Sequence, residues 1–459
     1  MSGVVLALLF TARAEPPPVP PPRPPVVPSV WTGTLGGDPA GMPVAVVERH
    51  GLPLVRVELS FDTTAIRHRL APGALYALGA VWRDADTRDT LERLGADVSI
   101  GCGAVRCWSV LEVPVEGLRE ALVHTAAAVR RPTLEGKALA DWRRDTRREW
   151  RTDWLGPGIV HARAFGRLTW PEGHPYRLDR AAAAFRVQRA AVREAWRVVV
   201  AEAPVSVVVA GDVVPADVLP LVEVAYGGLG GRTEAVSVAA PAATTTRRVL
   251  VDAPGANQAL VSLGWPSPTQ ADADHAAYTL AFQALAGGFA SRLNLRLRED
   301  DGLTYRVDGA YVAEAGYGWS EIELATDPDQ VARVLARLSE ELDRARTGGF
   351  TDEEVTAARH RLWVQGATET STLAGVARML WRDRRAGREP GASMIHLSMY
   401  QDVSLAEVGA AAAAWLAGPR TWLVSGDADT LEPVLETAGW ATDTVWGVCQ
   451  AVYGGACPR

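Results

Sequence analysis

Histidine is scarce in this sequence, and its spacing excludes one common kind of metal site. Zinc-binding helices of hydrolases carry two histidines about one turn apart, so that both imidazoles face the same way. The chain has eight histidines, and no two of them are three to five residues apart. No helix of this chain can therefore offer two imidazoles to one metal ion. The eight are His50, His68, His124, His161, His174, His275, His360 and His396.

The four cysteines form two close pairs, Cys102 with Cys107 and Cys449 with Cys457. Near neighbours of this kind tend to oxidise in an exported chain. A zinc site is the competing interpretation, but it would need four thiolates in one place. The pairs have neither C-x-x-C spacing nor a nearby histidine. We therefore predict two disulfides and no metal in this chain.

The composition is that of a globular protein with at least two hydrophobic cores. The chain has 459 residues, of which 48% are hydrophobic and 22% are charged. Its net charge of −7 comes from both signs scattered along the sequence, and no basic stripe is present to hold a phosphate backbone. Nucleic acid is therefore not expected as a partner, and no segment is apolar over enough length to predict a membrane span.

The N-terminal segment has the pattern of an export signal. An apolar run from Val4 to Phe10 is followed by Ala12-Arg13-Ala14, a small-x-small cleavage pattern. The run is about half of the roughly 20 residues that cross a bilayer. We predict a signal peptide over residues 1–14, a proline-rich extended spacer over 15–30, and a periplasmic or extracellular location.

The same local pattern occurs twice, about 200 residues apart. A strand from Val205 to Ala210 runs into Gly211-Asp212 and then a helix, and a strand from Thr421 to Ser425 runs into Gly426-Asp427 and then a helix. Each copy is preceded by alternating strands and by two consecutive helices. This internal repeat predicts two homologous domains.

Each predicted domain combines antiparallel strands with helices on one side. The second long helix of the second half starts with a capping box, Thr351 followed by Glu354. Strands such as Val105 to Val113 and Leu303 to Val312 place their apolar residues on one face. We predict an α+β clam-shell with mostly antiparallel sheets. Its parts are an N-terminal domain over 31–230, a linker over 231–246, a C-terminal domain over 247–445 and a cysteine-containing tail over 446–459.

Several short motifs, in a specific order, resemble the insulinase/pitrilysin peptidases, which include the mitochondrial processing peptidase and bacterial two-subunit relatives. The similarity extends from about Gly41 to Val434. The motifs are Leu94 to Val98, Glu112 to Pro114, Gly173 to Tyr176 and Gly211-Asp212 in the first half, and Pro254 to Gln258, Gly287 to Leu293, Leu297 to Glu299 and Gly302 to Tyr305 in the second.

The resemblance implies a zinc helix in the first domain, and this sequence lacks it. In the family, an inverted H-x-x-E-H motif supplies two ligands and a glutamate that polarises water. The matching segment, Pro72 to Trp82, contains no His, Glu, Asp or Cys, and Tyr76, Gly79 and Ala80 occupy the ligand and base positions. Glu149 falls roughly where the family has its third ligand, and without the histidines we interpret it as a solvated helix residue.

In the second domain the family carries an arginine and a tyrosine seven residues apart that hold the substrate carbonyl. Arg298 and Tyr305 have that spacing. A cationic and a phenolic donor would stabilise the negative charge that develops on this oxygen. The alternative is structural: Arg298 would complement a helix dipole beside a core face of Phe289, Leu293 and Leu297, and Tyr305 would lie in the core of a strand.

Two functional hypotheses follow from the resemblance. In the first, the chain is the exported, non-zinc subunit of a heterodimeric peptidase. It would bind extended peptides and supply Arg298 and Tyr305 to the zinc site of a homologous partner, while holding no cofactor itself. In the second, the chain is a catalytically inactive scaffold or peptide-binding protein, as are the core subunits of the respiratory bc1 complex. Either way, the chain alone is not expected to hydrolyse peptides.

Overall fold

Each half of the chain builds one six-stranded β-sheet. The computed structural model describes residues 28–36, 41–82, 88–134, 136–152, 156–177, 186–231, 240–241, 245–395 and 398–455. The predicted signal peptide, the spacer up to residue 27, most of the linker, His396 and Cys457 lie outside these residues. The strands are β1 (Val30–Leu35), β2 (Met42–Glu48), β3 (Leu54–Asp62), β4 (Asp97–Cys102), β5 (Arg106–Pro114), β6 (Val205–Gly211), β7 (Arg247–Asp252), β8 (Ala259–Ser267), β9 (Val307–Ala313), β10 (Gly318–Thr326), β11 (Thr421–Gly426) and β12 (Thr444–Gly447).

Helices surround both sheets. In the first half they are α1 (Ala74–Val81), α2 (Arg88–Arg93), α3 (Leu118–Arg130), α4 (Gly136–Thr152), α5 (Pro157–Thr169), α6 (Arg189–Glu202) and α7 (Pro215–Tyr226). In the second half they are α8 (His275–Ala286), α9 (Val331–Gly348), α10 (Asp352–Ser371), α11 (Leu373–Arg385), α12 (Ala392–Ile395), α13 (Met399–Asp402), α14 (Leu405–Trp415), α15 (Ala428–Thr437) and α16 (Val448–Tyr453). A π-helix spans Asn294–Asp300, and 3₁₀ turns cover Arg67–Arg69, Val115–Gly117 and Pro328–Gln330.

Five strands of each sheet share one topology, so the predicted internal repeat is present in the fold. The sixth strand differs, since β1 pairs antiparallel with β2 whereas β12 pairs parallel with β7. The strand orders are β1-β2-β6-β3-β5-β4 and β12-β7-β11-β8-β10-β9. Most pairs are antiparallel, and β2–β6, β7–β11 and β7–β12 are parallel. Strands β6 and β11 are buried along their whole length, as expected for the apolar central strands of a sheet covered on both faces. The predicted α+β class is confirmed.

Each sheet packs one face against helices of its own half, and we call the opposite face its outer face. Alternate residues of β6 show the two environments. Val207 and Val209 join the core that contains α1, α3 and α6, whereas Val208 and Ala210 point to the outer face. The second sheet packs its inner face against α8, α9, α10 and α14 in the same way. The capping box predicted for Thr351 and Glu354 begins α10.

Both outer faces are covered by a helix from the other half of the chain. Val160, Ala164, Phe165 and Leu168 of α5 pack on β7 and β11 of the second sheet. In return, α11 packs on β2 and β6 of the first sheet through Val376, Ala377, Met379 and Leu380. Helices α5 and α11 occupy equivalent places in the repeat, so the exchange is reciprocal. This arrangement joins two halves that the sequence predicted only as neighbours.

A buried histidine adds a polar connection to the exchange. His161 of α5 lies between two serines of the second sheet, with its Nδ1 2.6 Å from the Ser425 hydroxyl and its Nε2 2.7 Å from the Ser262 hydroxyl. Burial lowers the pKa of His161 to about 3, so the ring is neutral at ordinary pH. A neutral imidazole donates from one nitrogen and accepts at the other, which suits two hydroxyl partners. His161 is therefore a structural contact between the halves.

Two local expectations differ from the structure. Strand β9 begins at Val307, so Leu303 and Tyr305 are not part of it. At the C-terminal end, residues assigned to a tail belong to the second sheet: β12 pairs with β7, and α16 contributes Ala451 and Val452 to the core under α5. The boundary at residue 445 therefore falls inside β12. Over the described residues, every helix is too short or too polar to cross a bilayer.

The exchange predicts that the halves stay together without a covalent link. We expect fragments 28–231 and 240–455, co-expressed with a tag on the first, to co-purify and unfold in a single transition, because each sheet needs the helix of the other fragment. Phe165→Asp in the tagged fragment should abolish the co-purification, since it places a charge in the core under α5. Two fragments that each purify alone and unfold cooperatively would contradict this expectation.

Candidate functional site

Helix α1 stands where the zinc motif is expected, and it is packed as a structural helix. Gly73 precedes it in a left-handed conformation, with φ of 82°. Leu75 and Leu78 are buried in the first core, and Tyr76, Gly79 and Ala80 are half-buried. A hydroxyphenyl group, a hydrogen atom and a methyl group thus occupy the positions of two ligands and a base. None of them can bind zinc in the way that imidazole or carboxylate does.

The position of the catalytic glutamate is closed by packing. A Cβ placed on Gly79 would lie 2.6 Å from the backbone nitrogen of Cys102 and 3.2 Å from its Cβ. Only a residue without a side chain permits this approach of α1 to strand β4. Cys102 is also disulfide-bonded to Cys107 across the β4–β5 hairpin, as predicted. The disulfide-bonded hairpin therefore packs directly against helix α1, at the position where the family has its catalytic glutamate.

The second predicted disulfide is only partly within the described residues. Cys449 is disulfide-bonded, whereas Cys457 lies outside the part of the chain that the structure describes. Glu149, the residue at the expected position of the third ligand, is exposed on α4. Within the described ranges, no three His, Cys, Asp or Glu side chains come close enough to hold a metal ion. The described residues of helix α1, together with Glu149, therefore do not fit a zinc ion.

Arg298 and Tyr305 lie next to each other in the second half. Arg298 is on the π-helix, and its guanidinium carbon lies 5.5 Å from the centre of the Tyr305 ring and 4.9 Å from the centre of the Phe289 ring. Distances of this size are those of cation–π contacts. The sequence predicted Phe289 as a core residue and not as a contact of Arg298. We call Phe289, Arg298 and Tyr305 the arginine clamp.

The arginine clamp is open to solvent. Tyr305 is 82% exposed and Phe289 is 58% exposed, whereas the Arg298 side chain is 31% exposed between them. The alternative in which Tyr305 and Phe289 are core residues is therefore wrong, and Leu293 and Leu297 supply the buried face of this segment. Glu299, 3.3 Å from the guanidinium, is itself exposed. The clamp thus consists of two largely exposed rings with a partly exposed guanidinium between them.

The Gly173–Tyr176 motif has a packing role at the junction of the halves. The His174 ring stacks on Trp170 with ring centres 4.3 Å apart, and Tyr176 lies 5.7 Å from the same indole. Tyr317, the residue before β10, contacts Trp170 edge-on, with the ring centres 5.2 Å apart. Burial raises the pKa of Tyr176, which keeps its hydroxyl protonated. The motif therefore covers the second sheet with residues of the first half.

A cavity of about 740 Å³ lies between the two halves. Residues 103–105 at the tip of the disulfide-bonded hairpin line one side, and α8, α10 and α11 line the other. Arg106 joins the two sides, with its guanidinium 5.3 Å from the Trp108 ring centre and 4.5 Å from that of Trp381. Its charge is paired with the buried Glu58 at 2.7 Å. The hairpin that closes the zinc position thus also forms the wall of the cavity.

Two glutamates stand side by side on the outer face of the second sheet. Glu321 and Glu323 of β10 pair with Gly264 and Ser262 of β8. Burial, reinforced by the charge of Glu323, raises the pKa of Glu321 from 4.5 to about 7. Burial also raises the pKa of Glu323. A large part of the Glu321 population is therefore protonated near neutral pH.

Two pseudo-equivalent halves with exchanged helices, and a first-half helix without metal ligands, are the features expected of a two-domain peptidase fold that lacks the zinc motif. Comparison with known proteins agrees with this class. Residues 186–362 match the family described as peptidase M16 inactive domain. An uncharacterized zinc protease of Streptomyces coelicolor is 36% identical over 111 residues. That match covers 24% of this chain and 24% of the relative, so it spans about a quarter of the relative's length.

Solved structures show the same fold over most of the chain. The peptidase M16 inactive domain from Pseudomonas fluorescens superposes with a TM-score of 0.76 at 21% identity, covering 87% of this chain and 98% of that one. A protease from Helicobacter pylori gives 0.72 at 15% identity, covering 87% and 100%. The sequence-based recognition is confirmed in the matched region: residues 186–362 resemble the insulinase/pitrilysin-type (M16) family, and helix α1 of the same chain lacks the zinc motif.

Restoring the motif residues should not restore a zinc site. In Tyr76→His/Gly79→Glu/Ala80→His, the glutamate would collide with the Cys102 backbone, so we expect lower thermal stability and no stoichiometric zinc after dialysis, measured by elemental analysis. The matched control, Tyr76→His/Ala80→His, keeps Gly79 and should fold more stably than the triple variant. A triple variant that retains one zinc per chain and the stability of the control would show that the position is open.

Glu321 should make stability depend on pH. Because its pKa is raised on folding, the folded state binds the proton more tightly than the unfolded chain, and stability falls as the pH rises from 4.5 through 7. Glu321→Gln should therefore stabilise the protein by about 1–3 kcal/mol at pH 8, with the gain shrinking toward zero near pH 4. Denaturant unfolding at both pH values measures this. An equal effect at pH 4 and pH 8 would contradict the assignment.

Proposed function

We propose that this chain is the non-zinc subunit of a heterodimeric metallopeptidase of the insulinase/pitrilysin type. The observation that carries the proposal is the contrast between its two sites. The first-half helix offers a metal no imidazole, thiol or carboxylate and is packed shut at Gly79, whereas Arg298 lies against the exposed ring of Tyr305. A scaffold would have no need to hold an arginine against two exposed aromatic rings.

The arginine clamp would act on the oxygen of the scissile carbonyl. As water adds to the peptide carbonyl, negative charge develops on this oxygen, and donors already in place stabilise the charge without having to reorganise. Arg298 supplies a permanent positive charge with fixed N–H directions, and Tyr305 supplies an O–H. The partner subunit, a homologue that carries H-x-x-E-H, would hold the zinc and activate the water.

An extended peptide would bind along an open sheet edge. Strand β9 is the last strand in the order of the second sheet, and it begins two residues after Tyr305. A peptide that adds to β9 would gain backbone hydrogen bonds independent of its sequence, and its backbone would pass close to the clamp. The cavity between the halves offers space and aromatic surface beyond that edge.

Export is part of the proposal. The disulfide between Cys102 and Cys107 supports a periplasmic or extracellular location, because disulfides persist mainly in oxidising compartments. The predicted signal segment points the same way. A fusion of residues 1–30 to a reporter that is active only after export would test this part separately.

The rival function is that of a catalytically inactive scaffold or peptide-binding protein, like the core subunits of the bc1 complex. Its specific support is the packing at Gly79, since a subunit with a purely structural role tolerates a closed active site. The genome offers a quick discrimination. An adjacent reading frame that encodes an H-x-x-E-H helix supports the peptidase subunit, and its absence supports the scaffold.

Reconstitution tests the catalytic role. The chain alone should be inactive, and adding a homologous zinc-bearing subunit should produce peptide cleavage. Arg298→Ala should then lower kcat about a hundredfold, since one donor to a developing oxyanion is worth about that much. The matched control is Arg296→Ala, which removes an exposed arginine of the same π-helix, ion-paired with Asp300 at 2.6 Å, and should leave kcat nearly unchanged. An Arg298→Ala complex as fast as the wild type would exclude the catalytic role.

A further inference from the structure

One buried amide joins the three segments that carry the arginine clamp. Asn294, fully buried at the start of the π-helix, donates from Nδ2 to the Gly288 carbonyl at 3.1 Å and to the Val307 carbonyl at 2.8 Å. Its Oδ1 accepts from the Val307 N–H at 2.9 Å. A further contact from Nδ2 reaches the Ser291 hydroxyl at 3.3 Å. Both ends of the amide are therefore used.

The partners of Asn294 are the backbone neighbours of the clamp residues. Gly288 immediately precedes Phe289, and Val307 follows Tyr305 by two residues. Arg298 lies on the same seven-residue π-helix as Asn294. Asn294 thus joins all three segments, in addition to backbone contacts such as that of the Leu303 N–H with the Leu297 carbonyl at 2.7 Å. A shift of Asn294 would move the two aromatic rings relative to the guanidinium.

The local backbone is unusual in the way expected of a functional segment. The Asp301 N–H donates to the Arg296 carbonyl at 3.1 Å, five residues back, which is the wider π spacing. Such helices are rare and are often found at functional sites. Gly288, with φ of 140°, lets the chain turn beside the Arg361 guanidinium, 2.7 Å from where a Cβ would stand.

Core packing holds the backbone of these segments through Leu293, Leu297 and Leu303, but it does not hold the two aromatic side chains of the clamp. Phe289 and Tyr305 are mostly exposed, so burial contributes little to their positions. The Arg298 contacts to the two rings link the side chains to each other and not to the interior. Asn294 is the buried group that reaches all three backbone segments. The hydrogen bonds of Asn294 therefore help to fix the positions of the clamp residues.

We infer that Asn294 is a positioning residue that sets the geometry of Phe289, Arg298 and Tyr305, and that Phe289 is the third member of this catalytic surface. This inference rests on the proposed function for its catalytic consequence. Its structural part stands on the hydrogen bonds alone. Asn294 acts through Arg298 and does not itself touch substrate.

The first test uses the isolated chain and hydrogen exchange. Asn294→Ser keeps a polar group in place but cannot span from Gly288 to Val307. We expect amide exchange in peptides covering 287–293 and 303–308 to accelerate at least tenfold, with the rest of the chain unchanged. Ser291→Ala is the matched control, because it removes a contact of the same amide and leaves the bridge intact. Unchanged exchange at Val307 in Asn294→Ser would overturn the inference.

The second test is a double-mutant cycle in the reconstituted complex. Asn294→Ser should lower kcat about tenfold with little change in KM, since a small misplacement of a catalytic group is costly. In the Arg298→Ala background the same substitution should cost clearly less than tenfold, because the guanidinium is already missing and Asn294 can then act only through Phe289 and Tyr305. Equal losses in both backgrounds would mean a general structural effect and would overturn the catalytic part. A fully active Arg298→Ala complex would instead remove the proposed function and leave the exchange result standing.

Discussion

The exchange of helices α5 and α11 is the interaction on which the rest of the structure depends. Each sheet has two apolar faces, and its own half covers only one of them. The second face is covered by a helix that the other half donates, so neither sheet is complete alone. Separating the halves would expose the apolar side chains of both helices and the strands beneath them. By the usual value of apolar burial this costs on the order of 10 kcal/mol, comparable to the stability of a whole domain.

This constraint holds the position of the missing zinc motif and the arginine clamp in one frame. On one side, helix α1 meets the disulfide-bonded hairpin at Gly79, with no room for a side chain. The same hairpin carries Arg106 across the cavity to Trp381 of the exchanged helix α11. On the other side, the second sheet holds β9 and, just before it, the segment with Tyr305. The lost site and the retained clamp therefore belong to one continuous packing arrangement.

Much of this could be predicted from the sequence, and the failures have physical reasons. Apolar periodicity, the Gly-Asp turns and the capping box at Thr351 are local signals, and they predicted the repeat and most of the strands and helices. Arg298 and Tyr305 were singled out by the family resemblance and its seven-residue spacing, and the structure places them side by side. The exposure of Tyr305 was not predicted, because the alternation of apolar residues from Leu303 onward fits a strand as well as a loop that precedes a strand.

Contacts between distant segments had no comparable signal. The amphipathic patterns of α5 and α11 indicate that each helix packs on a sheet, but not on which one. Asn294 interrupts a leucine-rich helix, and a polar residue flanked by Leu293 and Leu295 could have been recognised as a buried amide. Its partners, Gly288 and Val307, are backbone groups that no residue type identifies. The same holds for Arg106, whose aromatic neighbour Trp381 is in the other half of the chain.

The cross-packed helices also determine where movement can occur. The walls of the cavity come from two halves that each cover the other's sheet, so widening the cavity would disturb those contacts. Under the proposed function, a long polypeptide would then enter where this chain meets its partner and not through a hinge between the halves.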